Sequence, residues 1–473
     1  MQTYTAPLPA AARWALASLS LSLLLSSLGT SIANVGLPTL AQAFGASFQQ
    51  VQWVVLAYLL AITTLIVSVG RLGDLVGRRR LLLGGIALFT VASGLCGMAP
   101  TLPLLVAARA LQGLGAAVMM AITMAFVGEI VPKARTGSAM GLLGTMSAVG
   151  TALGPSLGGV LLATLGWRAL FLVNLPLGAL AVLLAWRCLP VDRKAASQAA
   201  VRFDYTGTLL LALTLGAYAL AMTLGRGHFG WLNTTLLAAA ALGVALFVRT
   251  EARAVSPLVH LGMFRDPGLS AGLAMNALVS TVMMATLVVG PFYLARGLGL
   301  DAAWVGGVMA VGPVVSAVSG VFAGRMVDRW GAPRMVVTGL VAMGVGAVGL
   351  SALPAVFGVA GYIAAMAVLT PGYQLFQAAN NTAAMQDVRA DQRGVTSGML
   401  NLSRNLGLVT GASVMGAVFA WAVSATDVGT APPADVATGL QITFAVAAAL
   451  VLAALALALA LRGRAVAKPP LAT

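Results

Sequence analysis

Residues Gly70 to Arg80 read GRLGDLVGRRR, and Gly324 to Arg334 read GRMVDRWGAPR. Both fit G-R-x-x-D-x-x-G-x-x-R, and each follows the second long apolar run of its half of the chain. One such stretch arises easily by chance. Two in equivalent register point to an internal repeat, the arrangement of membrane transport folds made from two similar bundles. In the first copy, Gly70, Gly73 and Gly77 permit tight turns and close helix approach. Asp74 is suited to accept hydrogen bonds from a helix N-terminus or an arginine. Asp74 with Arg78, and Asp328 with Arg329 in the second copy, are read as a latch that holds one bundle against the other and breaks on opening. Arg79 and Arg80 have a second reading, as positive anchors at a membrane surface.

The solvent follows from composition. Mean hydropathy is +0.97, with 60% of the 473 residues apolar and 8% charged, too little charge to cover a water-facing surface. Apolar runs of about 20 residues, each able to cross a bilayer as a helix, recur along the whole chain. The expectation is an all-α polytopic protein of about fourteen spans. The first run, from Trp14, continues into Thr30, Ser31 and Asn34 without a small-residue cleavage site, so it reads as a retained helix. Cys96 and Cys188 suggest packing rather than a disulfide or a metal site.

A net charge of +15 raises nucleic acid as a partner, but the placement of the charges argues for membrane topology. Of 27 Lys and Arg, 22 lie at the termini and in alternate connections. Three (Arg168, Arg226 and Arg296) lie in the opposite connections, and two (Arg109 and Arg404) lie within spans. This bias places both ends in the cytoplasm and implies contact with anionic lipid. Removing two spans between about 204 and 249 leaves six and six. The organisation is then 1–190 as an N-terminal six-helix bundle, 191–262 as linkers with two inserted helices, and 263–473 as a C-terminal bundle with a short tail. The inserted spans carry few functional side chains and read as lipid-facing packing helices.

Met140 to Gly159, MGLLGTMSAVGTALGPSLGG, contains six glycines and one proline. Gly150, Gly154 and Gly158 are four apart and share one helix face, where a second helix can approach backbone to backbone. Pro155 removes one backbone hydrogen bond and promotes a bend. The stretch reads as a close, bent contact on which bundles pivot, with ordinary static packing as the alternative.

Here the residues resemble a known family. Gly141, Gly150, Gly154, Pro155, Gly158 and Gly159 are similar to the antiporter motif of major facilitator superfamily exporters. Gly70–Arg80 resembles that superfamily's signature loop, and LVAARALQGLGAA, Leu105 to Ala117, its fourth-helix motif with Arg109 at the marked position. GWRALFLVNLPLG, the FDYTG at Phe203 to Gly207 and PLVHLGMFR resemble the fourteen-span drug:proton antiporter branch. The resemblance implies two six-helix bundles plus two extra central helices, and secondary export by alternating access through a cavity between the bundles.

The chain departs from that branch in its first helix. A pattern like L-D-x-T-x-x-N-V-A-L-P is usual there, whereas this chain reads LGTSIANVGLP from Leu28 to Pro38, with Gly29 at the aspartate's place. None of the twelve acids falls at mid-membrane, and His228 and His260 lie in loops. A proton relay would then rest on Asp74 or Glu129 near the cytoplasmic face. Arg109 is an intramembrane charge with no evident acidic partner, which marks it as functional. Two roles stay open: binding an anionic substrate, or clamping first-helix carbonyls and Asn34. Arg404 carries the same ambiguity nearer an interface.

Candidate cavity residues are Asn34, Tyr58, Arg109, Gln112, Asn276, Gln377 and Asn380, with Trp53 and Tyr373 as further aromatic and polar candidates. The leading expectation is a proton-coupled exporter of amphipathic organic compounds, the second a transporter of an organic anion or metabolite on the same fold. A non-transporting sensor would need an output domain that the short connections do not supply. No catalytic cluster of acid, histidine or cysteine is evident, and no phosphate-binding loop supports an ATP-driven pump. No cofactor or metal is expected, and the proton gradient is the expected energy source. The expected partners are a small-molecule substrate and lipid. Each chain holds both halves of the cavity, so a monomer is expected, with periplasmic or outer-membrane efflux proteins as further possible partners.

Overall fold

The computed structural model describes residues 10–130, 136–190, 204–224, 230–254, 259, 261–386, 393–423 and 428–466. Among these residues every regular element is helical. Backbone groups in hydrocarbon find no water, so apolar runs must satisfy their hydrogen bonds internally. The first half comprises α1 (Ala10–Val35), the short α2 (Leu37–Phe44), α3 (Phe48–Val76) and α4 (Arg78–Met98), then α5 (Leu102–Ile130), α6 (Thr136–Leu165), the single turn α7 (Ala169–Leu172) and α8 (Asn174–Cys188). A helix pair follows, α9 (Tyr205–Thr223) and α10 (Trp231–Glu251). The second half comprises α11 (Pro267–Phe292), α12 (Ala302–Trp330), α13 (Ala332–Gln386), α14 (Arg393–Thr410), α15 (Gly416–Ala422) and α16 (Pro433–Val466). Two π-helical turns, Tyr293–Gly297 and Gly411–Met415, interrupt the second half. Twelve of the described helices are long and apolar enough to cross a bilayer.

The repeated stretch is not a loop. α3 continues through Val76 and α4 begins at Arg78, so Gly77 alone forms the corner, at φ 101. In the second copy Gly331, at φ 82, stands alone between α12 and α13. Side chains rarely adopt that backbone region, which explains glycine at both corners. The hydrogen bonds correspond too. Gly77 N–H donates to Gly73 O and Leu81 N–H to Gly77 O, while Gly331 N–H donates to Val327 O and Met335 N–H to Gly331 O.

Beyond each corner the next two helices cross glycine on glycine. A Cβ at Gly115 would lie 2.6 Å from Phe89 N and 2.7 Å from Gly85 O; one at Gly372 would lie 2.8 Å from Met343 N and 2.9 Å from Gly339 O. In the second half both partners belong to α13, which folds back on itself at Gly358, a non-helical residue at φ 54 and ψ −128. The stretches of α13 on either side of Gly358 are thus two antiparallel arms with hardly any connection between them.

The hydrophobic packing is asymmetric across the membrane. A cluster running from Leu28 and Ile32 through Phe48 and Val54 continues into Val282, Phe292 and Phe419, and so joins the two halves at the face where α1 ends. At the face where α1 begins the halves keep separate clusters, Leu16, Leu19 and Val69 in the first and Leu269, Leu273 and Met399 in the second.

α9 lies along the seam between the halves. Ser68 and Thr208 hydroxyls meet at 2.8 Å, and Trp53 Nε1 donates to Thr223 Oγ1 at 3.1 Å. On its other side Tyr218 donates to Thr410 Oγ1 at 3.3 Å. α10 is the outer member of the pair and is little covered by protein.

Candidate functional site

Arg109 is fully buried in the first half, and its donors are directed inward. Nε donates to Val54 O at 2.8 Å, one terminal nitrogen to Gly29 O at 3.0 Å and the other to Gln112 Oε1 at 2.5 Å. Gln112 Nε2 then donates to Ser93 Oγ at 2.7 Å, and Ser93 donates to Phe89 O. The guanidinium carbon stands 4.1 Å above the Tyr58 ring centre, and Tyr58 donates to Ser26 O at 2.7 Å. One cation thereby ties α1, α3 and α4 to α5. Of the first-helix carbonyls Arg109 bonds that of Gly29, and Asn34 takes no part, since its Nδ2 donates to Thr30 and Ser31 carbonyls of its own helix.

The glycine at position 29 fits this arrangement. A Cβ there would lie 2.9 Å from Tyr58 Oη and 3.2 Å from the Phe89 ring. Tyr58 and Phe89 occupy the space an acidic side chain would need, and the arginine takes the backbone carbonyl instead.

The other candidates divide into ties and acceptors. Asn276 Nδ2 donates to Leu400 O at 2.9 Å, and Asn380 Nδ2 to Gly272 O at 3.2 Å, binding α11 to α14 and to the second arm of α13. The Oδ1 atoms of Asn34 and Asn276 and Oε1 of Gln377 are buried without a hydrogen-bond partner among the described residues. Gln377 and Tyr373 are half-buried. Asp328 and Arg329 are exposed at the end of α12, and Arg329 lies over the ring of its neighbour Trp330. Gly73 is buried against Ile122, and Arg78 donates to Ala125 O. Gly70 and Asp74 lie on α3, Glu129 on α5 and Gly141 on α6, but their side-chain surroundings fall outside the described residues, as do His228 and His260. Cys96 and Cys188 are free thiols, and the described residues hold no group of three metal-ligating side chains.

The glycine face of α6 lies against α1. A Cβ at Gly150 would meet Leu24 O at 2.4 Å, one at Gly154 would meet Ile32 N at 2.9 Å, and one at Gly158 would meet Val35 Cγ1 at 2.6 Å. Pro155 is buried within the same helix. Gly159 points the other way, across to the second half, where its Cβ would lie 2.6 Å from Gly306 Cα of α12. The halves therefore touch backbone to backbone at Gly159 and Gly306.

Sequence reasoning passed over a second cross-half contact. Gln52, 1% exposed on α3, donates from Nε2 to Ala412 O at 3.0 Å within the π-turn of the second half. Phe48, one turn earlier, packs edge-on against Phe292 at 4.6 Å and Phe419 at 5.4 Å. A π-turn spaces its carbonyls differently from an α-helix and is frequent at functional sites, but a short run of apolar residues gives no signal for it.

Residues 19–412 match the family described as Major Facilitator Superfamily. The chain is 34% identical over 417 residues to Multidrug resistance protein Stp of Mycobacterium tuberculosis, spanning 86% of this chain and 75% of that protein. It is 30% identical over 396 residues to Riboflavin transporter RibZ of Clostridioides difficile, spanning 84% of this chain and 86% of that protein. In fold it is similar to a bacterial homologue of the human lysosomal transporter Spinster, solved inward-facing and unoccupied. The TM-score is 0.67 at 14% identity, and the match covers 96% of this chain and 97% of that one.

Proposed function

The chain belongs to the Major Facilitator Superfamily, and on that premise we propose that it exports amphipathic organic compounds by alternating access, driven by a proton gradient. It is a multi-pass membrane transporter, not an enzyme. The observation that carries the export reading is the crossing of Gly159 and Gly306, where the helix holding the antiporter-like glycines meets the other half with no side chain between them. Two bodies that touch backbone to backbone can tilt there without dragging side chains out of a packed groove. Relatives named for drug resistance and efflux support the substrate class.

The reading takes fourteen crossings: the twelve apolar helices, with the arms of α13 counted separately and α6 added for its shorter apolar stretch Val149–Leu165. It places the protein in a bacterial inner membrane with both ends cytoplasmic, following the lysine and arginine bias. The joined face is then periplasmic and the separated face cytoplasmic, an inward-facing arrangement. Asp74 or Glu129 near the cytoplasmic face carries the proton, and a single chain suffices for the cavity. The amide oxygens of Asn34, Asn276 and Gln377, which have no hydrogen-bond partner among the described residues, suit a substrate with N–H or O–H donors.

Expression in cells lacking their own pumps should lower accumulation of a cationic amphipathic dye several-fold. An uncoupler should restore accumulation, and Gly306→Leu should abolish the effect while the protein stays in the membrane. Unchanged accumulation across a broad dye panel would overturn the proposal. The relative named as a riboflavin transporter favours metabolite transport as the second reading, and uptake into right-side-out vesicles separates the two. An anionic substrate is the weaker form of that reading, because Arg109 spends its donors on carbonyls and Gln112.

A further inference from the structure

α9 and α10 pack together along their length, and a cleft lies beside the pair at one end. Asn233 Nδ2 donates to Ala221 O and Leu224 O at 2.7 and 2.8 Å, tying the end where α9 finishes. Midway they cross closely, since a Cβ at Gly243 would lie 2.3 Å from Thr214 Oγ1. At the end where α9 begins lies a cleft of about 480 Å³, lined by Asp204, Thr206, Leu246, Arg249, Thr250 and Arg253. That volume lies within the roughly 300–1,000 Å³ of small-molecule sites.

The charges of this cleft are sorted. Arg249, in the last turn of α10, and Arg253, in the turn that follows it, both line the cleft, and both are exposed. Neither guanidinium has a hydrogen-bond or ion-pair partner among the described residues. The two nearby acids are turned inward. Glu251 is 2% exposed and accepts from Val259 N–H at 2.9 Å. Asp204 caps α9 by accepting from Gly207 N–H at 2.7 Å through Oδ1, and its Oδ2 is buried. A Cβ at Gly207 would lie 2.5 Å from each inward carboxylate, so glycine is needed for the pair to fold under the helix. The rim that remains is cationic, with the Thr206 and Thr250 hydroxyls beside it and apolar Leu246 one turn deeper along α10.

Because α10 is so little covered by protein, the cleft opens to the bilayer at its surface. We propose that it binds the phosphate of an anionic phospholipid, with Arg249 and Arg253 on the phosphate oxygens and the acyl chains running along α10 past Leu246. Arginine pairs suit phosphate by forked donation, and basic pockets between membrane helices bind lipid head groups.

The test is native mass spectrometry of the full-length protein from nanodiscs containing equal phosphatidylglycerol and phosphatidylcholine. Retained phosphatidylglycerol should exceed phosphatidylcholine. Arg249→Gln with Arg253→Gln should cut that retention about twenty-five-fold, at about fivefold per arginine. Arg187→Gln, an exposed arginine at the end of α8, should leave it unchanged. Equal loss with Arg187→Gln would overturn the site in favour of diffuse attraction. Displacement of the lipid by millimolar inorganic phosphate would overturn it in favour of a free phosphate ligand. Should the double variant fold poorly, Arg249→Lys with Arg253→Lys keeps the charge but loses the fork. Partial retention supports the site, and full retention overturns the bidentate assignment.

Discussion

The crossing that follows each corner glycine is built twice, once around a charge and once without any. In the first half the crossing of Gly85 with Gly115 is flanked by Ser93, Arg109 and Gln112, all fully buried. Counted in the same register from Gly339 and Gly372, the second half places Ala347, Met366 and Leu369 at those positions, also buried. The shared parts are the corner and the glycine contact, so these are what the fold requires. The cation is an addition peculiar to the first half, where it fastens α1 and α3 to α5 through carbonyls and α4 through Gln112 and Ser93. The second half relies on neutral amide ties from Asn276 and Asn380 and carries both π-turns. The first half is therefore the stiffer body, and the second the one whose helices can change their pitch.

The strongest way to break this contrast is Arg109→Ala. It leaves Gln112 Oε1 without its donor beside a void under the Tyr58 ring, and a stranded buried acceptor costs about 1–3 kcal/mol. Deleting the side chain also leaves a cavity in the buried packing, and the thermal midpoint in detergent should fall sharply. Copying the second half instead, with Ser93→Ala, Arg109→Met and Gln112→Leu together, removes the polar partners as well as the cation. A well-packed apolar replacement of a buried ionic group is often neutral or better, so the triple variant should recover to within about 1 kcal/mol of the native protein. A triple variant as unstable as Arg109→Ala would show that the carbonyls of Gly29 and Val54 need the cation, and the two crossings would not be equivalent.

Much of this architecture was legible in the residues. The duplicated G-R-x-x-D-x-x-G-x-x-R gave the repeat, because a corner at positive φ admits little but glycine. The four-residue spacing of Gly150, Gly154 and Gly158 gave the α6 face, because close helix contact admits little but small residues. Which of the two roles open to Arg109 it takes was not legible, since two of its three partners are backbone carbonyls and every residue has one. Gly29 looked like a lost acid, and only the positions of Tyr58 and Phe89 show that an acid has no room there. Glu251 was hidden for a similar reason: it sits in a polar stretch, and its burial depends on Val259 folding back beneath α10.

The mildest change probes the seam rather than either half. Gln52→Leu deletes the hydrogen bond to Ala412 O, the described side-chain bond that joins α3 directly to the second half's π-turn. The Phe48 contacts stay in place. A single neutral hydrogen bond contributes about 1 kcal/mol net, which is roughly a fivefold change in the balance between joined and separated states. Labelling of Ser413→Cys by an impermeant maleimide, with Cys96 and Cys188 replaced, should quicken about fivefold, because Ser413 is fully buried in that turn while the face is joined. If the second half is the deformable one, Gln52→Leu should expose the π-turn but leave a cysteine at Ser93 as protected as before. Equal exposure of both positions would mean that the first half opens with the second, and the distinction between a stiff body and a yielding one would fail.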